Sequence, residues 1–256
     1  MNITPDSFYD GGRYHNDWDI IKHAGQLLEQ GATILDMGAA SSRPGSELIK
    51  AGLEQERLLP AIEVIIKNYP DAVISIDTYN ASTAREAIAA GAHIINDISA
   101  GSLDPLMFET IAQLKVPYII MHMQGTPENM QINPTYEDPV KEITFYFSQK
   151  IVALHQLGVH DIIIDPGFGF GKSLQDNYIL LHKLEYFKIL EVPILVGLSR
   201  KSLINKVLGI SPQQALNGTT VLNTIALQKG ANILRVHDAK QAREIVEIVK
   251  MFEGLD

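Results

Sequence analysis

Two acids and an amide, Asp77, Asn96 and Asp165, each close a short run rich in β-branched residues. Carboxylates accept hydrogen bonds from the N–H groups of a guanidine-like or aminopyrimidine edge. An asparagine offers one donor group and one acceptor to a lactam-like edge. The trio therefore suits a flat nitrogen heterocycle, although each member alone has a plainer role in capping a helix. The cations fall elsewhere. Arg43 in Ser41-Ser42-Arg43-Pro44-Gly45, Arg235 and His237 suit a phosphate or pyrophosphate, and Lys201 lies in Ser199-Arg200-Lys201-Ser202. A single such cation is usually a solvated surface charge. Several of them in an acidic chain argue for a local anion site. His122 has no second histidine at metal-ligand spacing and reads as packed or hydrogen-bonded. Phe8, Phe168 and Phe170 either stack on a ring or fill core space.

The richest stretch is Asp161-Ile162-Ile163-Ile164-Asp165-Pro166-Gly167-Phe168-Gly169-Phe170-Gly171-Lys172. Its apolar run predicts a strand buried on both faces. Pro166 ends the ladder, and the glycines allow the backbone to approach a ligand closely. Asp165 is then a carboxylate at a rigid strand tip. The stretch is not a Walker A loop, because the glycine required five places before Gly171 is Pro166. Nor is it a dinucleotide fingerprint, whose third glycine would fall on Lys172.

The rest of the chain supplies the frame. Gln30-Gly31-Ala32-Thr33-Ile34-Leu35-Asp36 is echoed by Ala90-Gly91-Ala92-His93-Ile94-Ile95-Asn96 and by Lys229-Gly230-Ala231-Asn232-Ile233-Leu234-Arg235, and more loosely from Leu157. Each echo reads as a helix end closed by glycine, a buried strand and a polar residue. Strands are predicted at 34–37, 73–77, 94–96, 118–122, 162–165, 194–197 and 233–236, with 1–3 as the last piece of an eighth. Helices fit between them. Ile20, Ile21, Ala24, Leu27 and Leu28 form a 3.6-period stripe. Asn80 is placed to cap residues 81–90, and Pro105 and Pro212 stand near helix starts. Further helices are expected over 138–157 and 238–252. This alternation predicts one (β/α)8 TIM-barrel domain over residues 1–256, in which strand ends converge on one face. A doubly wound open sheet is the alternative. Residues 4–16, 39–48 and 124–137 follow strand ends and are expected to serve as lids. The chain has 256 residues, of which 46% are hydrophobic and 20% charged, enough for one large core. A net charge of −9 argues against a broad nucleic-acid surface. The absence of cysteine excludes disulfides and thiolate metal sites. No apolar run is long enough for a membrane span and no signal peptide is seen, so cytoplasmic residence is expected.

These motifs, taken in order with Asn2-Ile3-Thr4-Pro5-Asp6-Ser7-Phe8, Ile95-Asn96-Asp97, Met121-His122-Met123 and Arg235-Val236-His237-Asp238, resemble the dihydropteroate synthase family over nearly the whole chain. The resemblance implies a TIM-barrel homodimer of folate synthesis, a sulfonamide target. Its reaction joins 6-hydroxymethyl-7,8-dihydropterin pyrophosphate to p-aminobenzoate, giving 7,8-dihydropteroate and pyrophosphate. It further implies that Asp77, Asn96, Asp165 and Lys201 bind the pterin, with Met121, Phe170 and Gly197 against its ring. Asn2, Arg43, Arg235 and His237 would hold pyrophosphate, with Mg²⁺ near Asn2 and Asp6. Ser42, Pro44, Phe8, Lys201 and Ser202 would form the p-aminobenzoate site. Asp77, Lys201, Arg235 and His237 would carry the catalysis. The loop usually reading Gly-Gly-Glu-Ser-Thr-Arg-Pro-Gly here has Ala40 for the Glu and Ser42 for the Thr.

Two other readings compete. A pterin-binding methyltransferase domain shares the barrel and the Asp, Asn, Asp trio. A non-catalytic pterin-binding homologue is the other, because residues 1–3 supply only a short first strand. The same shortness leads to the expectation that strand one is truncated and that the natural chain begins upstream of Met1, or that something else covers the gap.

Overall fold

A computed structural model describes residues 1–3, 17–39, 48–127, 129–130, 132 and 134–254. The chain divides into two compact units, Met1–Ile120 with Ala153–Asp161, and Met121–Val152 with Ile162–Asp256.

In the first unit the order is α1 (Asp17–Glu29), β1 (Ile34–Gly38), α2 (Ala51–Asn68), β2 (Val73–Asp77), α3 (Ala81–Ala89), β3 (Ile94–Asp97), α4 (Met107–Leu114) and β4 (Tyr118–Met121), whose last residue falls in the second unit. β1, β2, β3 and β4 pair in that order, all parallel. Every residue of β3 and of β4 is buried, as strands covered on both faces require. α2 packs beside α1 and α3. Its Leu58, Ile62 and Ile65 are buried, as are Ile74 and Ile76 of β2 and Ala84 and Ala87 of α3.

Residues 1–3 add to the edge of β1. Asn2 forms a parallel bridge with Gly38, the Ile3 N–H donates to the Gly38 carbonyl at 2.8 Å, and Gly38 N–H donates to the Met1 carbonyl at 3.1 Å. Ile3 is fully buried. These three residues do the work of a strand end, as expected.

The second unit holds β5 (Ile162–Asp165), α6 (Leu174–His182), a 3-10 helix (Leu184–Leu190), β6 (Leu195–Val196), α7 (Ser202–Leu208), a 3-10 turn (Pro212–Gln214), α8 (Leu216–Gln228), β7 (Ile233–Leu234) and α9 (Ala239–Glu253). α5 (Pro139–Gln156) runs through both units. β6 and β7 are shorter than the sequence suggests. Pro193 stands before β6 and Gly197 just after it, and Ile194 joins β5 only through a bridge to Ile164. The parallel path still continues, since Arg235 N–H donates to the Val196 carbonyl at 2.9 Å.

The sequence echo has one structural cause. At each copy the chain leaves a helix through a glycine with φ of +93° (Gly31), +108° (Gly91), +80° (Gly158) or +98° (Gly230). The next residue then donates five places back, Ala32 to Leu27, Ala92 to Ala87, Val159 to Leu154 and Ala231 to Ala226, each at 2.9–3.0 Å. This is the Schellman closure, and it turns the chain straight into the next strand.

One capping expectation is corrected. Asn80 occupies the N-cap of α3, but its side chain donates to Glu54 Oε2 at 2.9 Å and leaves the helix N-terminus uncapped. Asp104 takes over, with Oδ2 accepting from Ala81 N–H at 2.8 Å and Oδ1 from Leu106 N–H at 3.0 Å.

Candidate active site

In the first unit the strand register lines up Gly38, Asp77 and Asn96 as neighbours across β1, β2 and β3. Parallel register puts their Cα–Cβ directions on one face. Glycine keeps this row open, because a Cβ at position 38 would sit 3.2 Å from the Asp77 Cβ, closer than ordinary contact. Asn96 is fully buried, and its Nδ2 donates to Asp36 Oδ2 at 3.4 Å. That contact turns Oδ1 away as the acceptor, and Oδ1 has no hydrogen-bond partner among the described residues. A buried amide oxygen of this kind is stabilised by a ligand N–H.

Asp97, beside Asn96 in the motif, has a different task. It is fully buried and accepts from Ser99 N–H, Ser99 Oγ, Gly101 N–H and the Tyr118 hydroxyl, each at 2.7 Å. Burial pushes its carboxyl above the usual range despite these donors. It ties down the turn after β3.

The second unit carries a denser cluster. Asp165, 1% exposed, ends β5. Its Oδ1 accepts from Gly167 N–H at 2.8 Å, and its Oδ2 meets Arg235 Nη2 at 3.2 Å. Lys201 Nζ donates to the Phe168 carbonyl at 2.5 Å and lies 4.8 Å from the centre of the Phe170 ring. Gly197 provides the room these cations need, since a Cβ there would lie 3.3 Å from the Arg235 guanidinium and 3.6 Å from Lys201 Nζ. Enclosure, and secondarily the Arg235 charge, push the Lys201 ammonium down to about 7, while Asp165 opposes the fall.

His237 pairs its Nδ1 with Ser199 Oγ at 2.9 Å, and the same Oγ accepts from His237 N–H at 3.2 Å. A hydroxyl that accepts the backbone N–H is free to donate to Nδ1, which leaves Nε2 as the outward donor. Burial lowers the imidazole below its ordinary value. Arg200, next to Lys201, is committed elsewhere, with a paired fork on Asp238 at 2.8 and 2.9 Å and donations to the Pro212 and Gln213 carbonyls. Met121 ends β4 and is fully buried, and Ser202 opens α7 exposed.

Five of the residues singled out from the sequence, Asp165, Phe170, Gly197, Lys201 and Arg235, thus lie in one cluster of the second unit, with His237 on the same β7–α9 connection as Arg235. Asp77 and Asn96 share a row in the first unit. Asn2 bridges to Gly38 with an exposed side chain. Asp6, Phe8, Ser42, Arg43 and Pro44 lie outside the described residues. His122 is packed, as its sequence context implied. Its ring meets Tyr146 edge-on at 4.9 Å and its Nδ1 contacts Lys172 Nζ at 3.0 Å.

The sequence motifs contain Lys172 and Ser199 but assign neither a role in the site. Lys172 had a visible signal, as a lone charge closing an apolar glycine loop. The role of Ser199 as partner of His237 had none, because the pair is 38 residues apart.

Gly167 sets the loop geometry. It has φ +72°, and a Cβ there would overlap the His122 carbonyl oxygen. Gly167→Ala should therefore lower the urea unfolding midpoint, with the left-handed backbone alone costing about 1–2 kcal/mol. An unchanged midpoint would show that the loop re-forms without this turn.

A family model described as "Pterin binding enzyme" matches residues 1–237. The dihydropteroate synthase of Escherichia coli strain K12 is 41% identical over 252 residues, covering 98% of this chain and 89% of that protein. The Yersinia pestis dihydropteroate synthase, solved in a sulfonamide drug complex, superposes with TM-score 0.92 at 40% identity, covering 99% of this chain and 92% of that one. The Xanthomonas albilineans dihydropteroate synthase, solved with 4-aminobenzoic acid, gives TM-score 0.91 at 37% identity, with 98% and 90% covered. The chain belongs to the pterin-binding enzymes and, among them, to the dihydropteroate synthases. Its fold class is accordingly the (β/α)8 barrel expected from the alternating elements. No described helix is long and apolar enough to cross a membrane.

Proposed function

We propose that this chain condenses 6-hydroxymethyl-7,8-dihydropterin pyrophosphate with p-aminobenzoate to form 7,8-dihydropteroate and pyrophosphate. The observation that carries the reading is the cluster around Asp165. Within it stand a buried acid for a heterocycle N–H edge, a lysine on an aromatic ring for a ring carbonyl, and a guanidinium for an anion. In the first unit, Asn96 Oδ1 is a buried acceptor without a hydrogen-bond partner among the described residues. In this reading Asp77, Asn96, Asp165 and Lys201 bind the pterin, with Met121, Phe170 and Gly197 against its ring. Arg235 and His237, with Asn2 and Arg43, take the pyrophosphate. Phe8, Ser42, Pro44, Lys201 and Ser202 receive p-aminobenzoate.

The C–O bond to pyrophosphate breaks first, its charge met by the Arg235 guanidinium and the His237 Nε2–H. The methylene left on the pterin is cationic, and the Asp77 carboxylate stabilises it. The aniline nitrogen then forms the new C–N bond and gives its proton to solvent. No enzymic nucleophile is required.

Mg²⁺ belongs to this proposal. The described residues hold no cluster of three His, Cys, Asp or Glu side chains. An exposed Asn2 amide with the Asp6 carboxylate nevertheless fits an ion that keeps several waters and binds chiefly through substrate phosphates. Bound there, it would neutralise charge on the leaving group. A homodimer, one continuous domain and residence in the cytoplasm complete the proposal.

Mass spectrometry of the chain with both substrates and Mg²⁺ should show 7,8-dihydropteroate. Methyl transfer to a corrinoid from methyltetrahydrofolate, or tight pterin binding with no product, would replace this reading with one of its two rivals.

The Lys201 environment sets a pH dependence. A ligand carbonyl or anion favours the charged ammonium, so binding raises a pKa that starts at about 7. Pterin pyrophosphate affinity should therefore be best below pH 7 and fall as pH rises through that value. Calorimetry at pH 8 in two buffers of different ionisation enthalpy should show proton uptake, and Lys201→Met should abolish it. Uptake unchanged in the variant would assign the proton elsewhere.

A further inference from the structure

Lys172 ends the glycine loop and is 4% exposed, an unusual place for an ammonium. Its three N–H donors meet three acceptors: the Phe170 carbonyl at 2.9 Å, the His122 Nδ1 at 3.0 Å and the His122 carbonyl at 3.2 Å. Toward an ammonium, a neutral His122 Nδ1 acts as the acceptor. Burial, with the Lys172 charge behind it, pushes its pKa down to about 2, which keeps the ring neutral. The charges around Lys172 are mixed. Asp165 and Asp176 favour the ammonium, Lys201 opposes it, and burial brings it to about 7.

The consequence is mechanical. Two of the three acceptors belong to His122, which follows β4, and the third belongs to the loop. The loop in turn supplies two groups to the cluster: Gly167 N–H to Asp165 Oδ1 at 2.8 Å, and the Phe168 carbonyl to Lys201 Nζ at 2.5 Å. Its other anchors are Gly169 N–H to Asn177 Oδ1 at 2.7 Å and the Tyr136 hydroxyl to the Gly171 carbonyl at 2.7 Å, both at the loop's outer half. Tyr136 thus holds the loop's end at Gly171, while Lys172 ties the Phe170 carbonyl to His122, directly after β4. An apolar side chain there would leave two carbonyls and an imidazole nitrogen buried without donors.

We propose that Lys172 is a positioning residue of the pterin pocket, its buried ammonium fastening loop 166–171 to His122 and so fixing where the loop holds Asp165 and Lys201. It touches no substrate in this scheme, and the proposal rests on the functional reading above only for its kinetic arm.

The test compares wild type with Lys172→Met, similar in length but without donors, and with Lys172→Gln, which keeps a donor but not the reach or charge. Hydrogen exchange needs no substrate. Amides of residues 167–171 should exchange faster in both variants, by about 10- to 100-fold if the effect matches the loss of a supporting hydrogen bond behind a binding site, while β1 to β3 keep their protection. In kinetics the KM for the pterin pyrophosphate should rise by a similar factor, and the KM for p-aminobenzoate, which shares only Lys201 among the residues the loop holds, should rise less. A merely structural role gives the opposite split, with kcat falling in step with the folded fraction and both KM values unchanged. That split, unchanged loop exchange, or failure of both variants to fold would overturn the proposal. A wild type that makes no dihydropteroate would instead sink the functional reading, and the exchange arm would still decide the loop.

Discussion

Arg235→Ala should weaken binding of the dihydropterin pyrophosphate by about 2–5 kcal/mol, the range for truncating one partner of a hydrogen-bonded charge pair. Binding of the free hydroxymethyl pterin should suffer far less. The reason is that the proposed function gives Arg235 two roles. Its Nη2 lies 3.2 Å from Asp165 Oδ2 in a side chain 23% exposed, and the proposal adds an anion as its second partner. Only the ester carries that anion. Calorimetry with the two ligands separates the roles, because an arginine that merely braces Asp165 would weaken both ligands alike. Lysine at this position should rescue only partly, having the charge without the planar fork.

Asp165→Asn should cost about 1–3 kcal/mol in pterin affinity, the penalty for a buried partner left unmatched. Asparagine can still accept from Gly167 N–H, so the loop turn survives. It presents an N–H₂ group where the ligand edge and Arg235 both need an acceptor. Inorganic pyrophosphate should then bind Arg235 at least as well as before, since its guanidinium is no longer held by a carboxylate. Titration of a fluorescent pterin and of pyrophosphate reads the two effects separately. Equal losses for both ligands would mean that Asp165 acts only by holding the fold.

Much of the frame was legible because a few residues carry strong local signals. The glycines at 31, 91, 158 and 230 mark helix ends by the same backbone closure, so one pattern located four junctions. β2 and β5 have the bounds that their β-branched runs implied. Asp165 was readable as a strand-tip carboxylate because Pro166 leaves the ladder nowhere to go. The misses are of a different kind. Asp104 caps α3 from 23 residues away and Ser199 orients His237 across 38, and local pattern carries neither pairing. Lys172 was visible as a residue, but its role depends on two carbonyls and a ring nitrogen that converge only in the fold. The same holds for Asn96, whose amide orientation is set by Asp36, 60 residues earlier.

The central claim is that the heterocycle and anion groups act together to expel pyrophosphate in favour of an aromatic amine. A coupled assay of pyrophosphate release tests it most directly, run with the chain, Mg²⁺ and dihydropterin pyrophosphate, with and without p-aminobenzoate. The account predicts sustained release only when p-aminobenzoate is present, one pyrophosphate for each dihydropteroate formed. Release at the same rate without the amine, or none in either mixture from a chain that binds the pterin, would contradict it.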